Sequence, residues 1–438
     1  MKRSHIFTIP DDTLIKDGSV DPMGMQMIWT YFGQQVFQNK LTTVSTDIRN
    51  YTINLIHHLI LHKFQQERND YFVKARNHFP GYTSDYDVKA GLLIFMEDIL
   101  AYSLMDQKET VDTRGVLGSS NASDLLTKHQ GNFQNIEIHA EKRHGVLVRQ
   151  IQLGVSGRYK GPFMNMGLMS TTFEYNPIEF ERIQKLIERW PAAVTLIDRL
   201  LAILCALVNE SSGSYPIDKL DKYLNDDALM SLYSDCFGSV EVNELLKSYW
   251  EEKLGLKEGA AEAVYNQVKE GNQVNASVLL GSAMKELEEE AEKEKIKQII
   301  DVEPLLTRCV HAFYLLADTS IKKTEDVYAD LKELLKNLPL ENIKYLRSAS
   351  PRLNQLYTYI KDVQNDPDLF AQGILNYHKK IMEDRGGAAW VELDRGQVKH
   401  NIHQSTNKTT YEITNEGYWY HEYYIGAMHS IHNGLNPN

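Results

Sequence analysis

At 438 residues the chain is too long for one ordinary core and suits two or three domains of roughly 100–200 residues each. Hydrophobic content of 42% and charged content of 24% are those of a soluble globular protein that needs no disulfide or metal staple. A net charge of −12 argues against a general nucleic-acid coat but leaves room for a local basic patch. The three cysteines, Cys205, Cys236 and Cys309, stand far apart without CxxC spacing, which argues against a zinc ribbon or redox pair and fits a reducing cytoplasm.

The start, MKRSHIFTIPDD, is basic but lacks the apolar core of a secretory signal. A short strand is expected at Ile6–Ile9 and a first helix over Gly24–Gln38. Leu41–Phe64 then reads as a helix on which Thr46, Asn50, Asn54, His58 and His62 fall in one line, each four residues after the last, on an otherwise apolar rod. Such a stripe predicts a helix buried on most sides whose polar line is matched by a partner. Tyr86–Met105 is a further apolar helix, and Gly115–Ser123 is loop-like. Alternating apolar residues predict a β-hairpin with strands Ile136–Ala140 and Val146–Val155, followed by a turn-rich loop over Ser156–Pro162.

Beyond residue 175 the acidic surplus begins and helices dominate. Pro177 suits a first helical turn, and Ala192–Asn209 is an apolar helix. Its apolar run, Ala192–Val208, is broken by Asp198 and Arg199, so no membrane span is expected. Further helices are expected at Glu241–Leu254, Ala260–Lys269, Val278–Ile300, Glu303–Leu316, Thr324–Lys336, Glu341–Arg347 and Pro351–Val363. The charged Lys285–Lys295 stretch reads as a solvated helix carrying Glu–Lys pairs. The tail changes character again: a helix at Leu369–Glu383, strands Ala389–Leu393 and Val398–Ile402 around Asp394-Arg395-Gly396, and an aromatic helix over Gly417–Leu435. The chain is therefore expected to be mainly α. Residues 1–175 would form an N-terminal helical region with a small β-hairpin, 176–365 a helical domain, and 366–438 a winged-helix-like C-terminal module.

Few residues carry chemistry on their spacing. His58 and His62 at i,i+4 match a metal-binding helix, but Leu59 stands where a zincin has glutamate and no third ligand is near in sequence. Two hydrogen-bonded histidines on the polar stripe is the plainer reading. The Gly115 loop lacks the lysine of a phosphate loop, so no nucleotide hydrolysis is expected. Arg143, His144, Arg149, Arg158, Tyr159 and Lys160 form the densest basic and aromatic group, suited to DNA phosphates or to a partner chain. Glu137 and Glu141-Lys142 approach a nuclease core, but the spacing is wrong. Tyr418, Trp419, Tyr420, Tyr423 and Tyr424 are of the types favoured at partner interfaces, or they pack the tail on its own domain.

The string Thr42–Asn50, with Ile28-Trp29 upstream and Arg385-Gly386-Gly387 and Tyr423-Tyr424 in the tail, resembles proteins encoded in bacterial multi-gene antiphage loci. The similarity is to the accessory subunit of Lamassu-type systems. That resemblance implies a non-catalytic subunit, without cofactor, that works beside an SMC/Rad50-like ATPase and an effector subunit and restrains the effector until foreign DNA is sensed. It carries no catalytic residue to transfer. Two other readings stay open from the residues: a metal-dependent nuclease or hydrolase around His58/His62 or Glu137/Glu141, and a stand-alone module binding double-stranded DNA.

Overall fold

The computed structural model describes residues 21–78, 83–136, 146–147, 150–210, 227–271, 275–363, 365–394, 396–401, 408–415 and 418–436. These residues are mainly helical, with one two-stranded antiparallel sheet. They gather into two compact units, one formed by Asn39–Leu254 with the chain from Ala427 onward, the other joining the Met25–Phe37 helix to Gly255–Gly426.

Two helices form the interior of the first unit. Ile48–Glu67 is buried at every position from Ile48 to Leu61, and Asp85–Asp106 from Val88 to Met105. Their starts are fixed locally. Asp47 accepts the Arg49 N–H, and Ser84 with Asp87 forms a capping box. Around them pack Asn69–His78, Ser119–Lys128, Val155–Asn165, Pro191–Glu210 and Asp227–Phe237. Asn176 caps Pro177–Ile187, with Pro177 in the first turn where its missing N–H costs nothing. The Pro191–Asn209 stretch is long and apolar enough to cross a membrane by length and composition, and half of it is buried inside its own unit. Its Asp198 and Arg199 lie on the exposed side, as on a core helix.

In the second unit Glu290–Ala317, 28 residues long, is the central helix. Met25–Phe37, Ala276–Glu286, Leu340–Leu346 and Pro367–Asp384 pack against it. Strand Val391–Asp394 pairs with Gln397–His400, Val391 opposite His400 and Asp394 opposite Gln397, and Gly396 at φ 79° takes the left-handed turn position. His378, fully buried, ties this hairpin down: its Nε2 accepts the Trp390 N–H at 2.8 Å, and its Nδ1 lies 2.9 Å from the Pro22 carbonyl.

Several expectations are corrected. The Val146–Val155 strand does not form: Gln150–Leu153 is helical, and Val155–Asn165 replaces the loop expected at Ser156–Pro162. Its cap is remote, since Glu97 Oε1 accepts the Ser156 N–H at 2.7 Å. Gly154 lies so close to Glu97 Oε2 that a Cβ has no room. Most of the Ile136–Ala140 strand and all of Ile6–Ile9 lie outside the described residues. The striped helix starts at Ile48, which leaves Thr46 in the preceding turn. Leu287–Glu289 interrupts the helix expected over Val278–Ile300, and the second part runs through Glu303 without a break. Of the aromatic helix expected over Gly417–Leu435, Ile425–Leu435 is helical, whereas Tyr423 and Tyr424 take left-handed φ of 46° and 66°.

Candidate functional site

The stripe of the Ile48–Glu67 helix is a graded seam. Asn50 Nδ2 donates to the Gly115 carbonyl at 3.1 Å. Asn54 is buried with neither amide atom bonded among the described residues. His58 is fully buried, its Nδ1 3.0 Å from the Tyr175 hydroxyl. Burial, with His57, Lys89 and Lys160 nearby, pushes the His58 pKa down to about 3, so the ring is neutral at physiological pH. His62, one turn on, is half-buried against Tyr175 and Phe180. Neighbouring positions anchor the same helix. Trp250 Nε1 donates to Thr52 Oγ1 at 3.0 Å, and the His57 Nε2 lies 3.4 Å from the Tyr233 hydroxyl. The Arg49 guanidinium donates to the carbonyls of Asp112, Phe237 and Arg114.

Where the seam leaves the interior, a cleft of about 700 Å³ opens. One wall is His62, Gln65 and Gln66. The start of the Asp85–Asp106 helix supplies Ser84, Asp85, Tyr86 and Lys89, and the turn before Pro177 supplies Thr172, Glu174 and Tyr175. Lys89 is only 3% exposed. Its Nζ donates to the Phe173 carbonyl at 2.7 Å and lies 4.7 Å from the centre of the Tyr175 ring. Burial lowers its pKa, while Asp85 and Glu174 pull the other way. Phe173 takes φ 59°, a left-handed conformation that a bulky side chain adopts only where its surroundings impose it. Those surroundings are visible: its ring stacks on Tyr86 at 5.1 Å, and the Lys160 ammonium sits over both rings, 4.7 and 4.9 Å from their centres.

No family model, no curated protein and no solved structure matches the chain. The site is therefore argued from its own residues.

The residues singled out in the sequence scatter. His58 and His62 share a face, but each packs on aromatic rings, and no group of three or more His, Cys, Asp or Glu side chains suited to a metal gathers among the described residues. Arg143, His144, Arg149, Glu137 and Glu141 lie outside the described residues. Arg158 is half-buried, and Lys160 points into the Tyr86–Phe173 pair. Tyr159, 1% exposed, is a core residue: its hydroxyl donates to the Asp47 carbonyl at 3.2 Å, which removes it from any surface contact.

The aromatic tail is likewise corrected in part. Tyr423 and Tyr424 are buried in their own unit, and Trp419 and Tyr420 are half-buried. The tail closes over Glu303, whose Oε2 accepts the Trp29 indole N–H at 2.8 Å and the Tyr423 hydroxyl at 2.7 Å. Its Oε1 accepts the Thr307 hydroxyl at 2.8 Å and the backbone N–H groups of Tyr420 and His421 at 3.1 and 3.3 Å. Burial pushes the Glu303 carboxyl up to about 7 against the pull of these donors. Glu303 and Lys89 stand at the edge of apolar runs, in VEPLL and VKAGLLIF, each with an aspartate two residues before it, so the sequence does not set them apart from an ordinary charged helix turn.

Proposed function

We propose that the chain is a non-catalytic scaffold or regulatory subunit of a multi-protein complex, of the kind implied by its resemblance to the accessory subunit of Lamassu-type antiphage systems. In this reading it works in the cytoplasm beside an SMC/Rad50-like ATPase and restrains an effector until DNA is sensed. The observation that carries it is the use made of His58. Of the residues on which a metal or acid–base role would rest, His58 is fully buried, neutral and hydrogen-bonded to Tyr175, while Glu137 and Glu141 lie outside the described residues. His57, Arg49, Glu97 and Glu303 are spent in the same way, each on a specific internal partner. Polar groups so used set the register of all-round buried helices and give a rigid body for partners to grip. In the same reading the Pro367–Asp384 helix and the hairpin after it would belong to a winged-helix-like module that meets the ATPase.

The test is co-expression of the chain with the products of its neighbouring genes. The expected outcome is a complex containing the ATPase that survives gel filtration, with no nuclease activity from this chain alone. Metal-dependent DNA cleavage by the purified chain, lost on chelation and restored by added metal, would put the nuclease reading in its place. Contribution of the basic group to DNA binding is read from Arg158→Glu, titrated with duplex DNA at two salt concentrations.

A further inference from the structure

We propose that the cleft at the end of the polar seam binds a small ligand through an oxyanion, a carboxylate or a phosphate, that sits against the Lys89 ammonium. The argument begins with an incomplete pairing. An ammonium has three N–H donors and, when buried, needs an anion or several acceptors. Lys89 gives one hydrogen bond, to the Phe173 carbonyl, and no carboxylate among the described residues lies within 4.0 Å of it. Asp85, the acid four residues before it, is taken by Arg76 at 2.9 Å and Gln65 at 3.1 Å. Glu174 stands exposed on the rim.

The position of the ammonium is imposed rather than incidental. Phe173, at φ 59° in the turn that the Ser170 N–H closes on the Glu174 carbonyl, accepts from the ammonium through its carbonyl, and the Tyr175 ring supports the ammonium at 4.7 Å. About 700 Å³ is far more than an oxyanion fills, so the ligand carries a body. Tyr86 and Tyr175 line the cleft for that body, as the apolar part of a small-molecule site. Glu174 opposes an anion, which gives the proposal a signature of its own: removing that carboxylate must tighten binding.

The experiment is isothermal titration of the full chain with inorganic phosphate and, separately, with benzoate, a carboxylate that carries a ring. Benzamide serves as the uncharged control. Binding of one of the two anions to the wild type is expected, with an affinity lowered about tenfold or more in Lys89→Met and raised about threefold in Glu174→Gln. Whichever anion binds identifies the headgroup. Absence of binding by both anions up to about 10 mM overturns the proposal, as does benzamide binding as well as benzoate. Affinity unchanged in both variants also overturns it, because the anion then sits elsewhere. Should Lys89→Met fail to fold, Glu174→Gln, an exposed substitution, decides alone: an unchanged affinity refutes the site.

Discussion

Glu303→Gln tests whether the buried carboxylate holds the aromatic tail to its unit. In the wild type every group facing the carboxylate donates: Trp29 and Tyr423 to one oxygen, Thr307 and the Tyr420 and His421 amides to the other. Glutamine offers one oxygen and one NH2. Its oxygen placed toward Thr307 keeps that half, but the NH2 then meets the Trp29 indole N–H, which cannot turn away. The Tyr423 hydroxyl can rotate and accept. One buried N–H is left unpaired, at a cost of about 1–3 kcal/mol, and the remaining bonds lose their charge assistance. Relief from burying an ionised carboxylate offsets part of this, so the net loss is about 2 kcal/mol. Those bonds also hold Tyr423 and Tyr424 at φ 46° and 66°, so the strained segment opens first. The assay is native-state hydrogen exchange over residues 418–426, in which 2 kcal/mol appears as exchange about thirtyfold faster at the Tyr420 and His421 amides. Tyr423→Phe, which strands no N–H, should raise exchange by less than about tenfold. Unchanged protection in Glu303→Gln would refute the claim that the carboxylate is what holds this segment.

His58→Ala should cost about 3 kcal/mol, because it strands the Tyr175 hydroxyl and leaves a void beside Phe163 and Phe173, whereas half-buried His62→Ala should cost about 1. Equal urea midpoints for the two variants would contradict the graded seam. Arg49→Met leaves the Asp112, Phe237 and Arg114 carbonyls without their donor and should cost at least about 3 kcal/mol by the same measurement, and a near-wild-type midpoint would show those bonds to be replaceable. Glu97 carries the pH prediction. Burial raises its pKa from 4.5 to about 7, so between those values the folded chain holds a proton that the unfolded chain has released. Its contribution is complete below pH 4.5 and is lost as pH rises through 7, by roughly 3 kcal/mol. Glu97→Gln keeps an acceptor for the Ser156 N–H but does not titrate, so it should gain stability over the wild type between pH 5 and pH 8, and parallel pH profiles would sink the assignment.

What the sequence disclosed follows the range of each signal. Pro177 and Pro351 open helices just after Asn176 and Ser350, as cap–proline pairs that act within a few residues do, whereas the helix expected from Leu369 starts earlier, at Pro367. The Val391–His400 hairpin was equally legible, because alternation and the Gly396 turn lie inside ten residues of chain. Val146–Val155 misled for the opposite reason. Its alternating apolar residues read as a strand, but Glu97, far away in sequence, supplies the acceptor that starts a helix at Val155. The charged Lys285–Lys295 stretch was half legible. Lys293 pairs with Glu290 at 2.8 Å as solvated faces do, yet Glu292 turns inward and accepts the Ala260 N–H at 2.8 Å, capping another helix. The cleft was not legible at all, since its walls come from three separated segments and its decisive feature is a backbone angle at Phe173.

The stripe itself yields the sharpest separation between a group that is used and one that is merely present. Asn50 and His58 each have a named partner, whereas both amide atoms of Asn54 lack one among the described residues, at 1% exposure. A buried, unpaired amide costs about 1–3 kcal/mol relative to an apolar group of similar shape. Asn54→Leu should therefore stabilise the chain by about 1 kcal/mol, after the cost of fitting a slightly larger side chain, while the neighbouring changes at Asn50 and His58 destabilise it. Urea unfolding of the three variants side by side makes the comparison. A loss at Asn54→Leu as large as that at His58→Ala would mean the amide is satisfied in solution, and the seam would then be a continuous polar channel leading from the interior into the Lys89 cleft. A gain would mean the seam is interrupted at Asn54, so that Asn50 serves only to fix the helix against Gly115, and only His58 and His62 border the cleft through Tyr175.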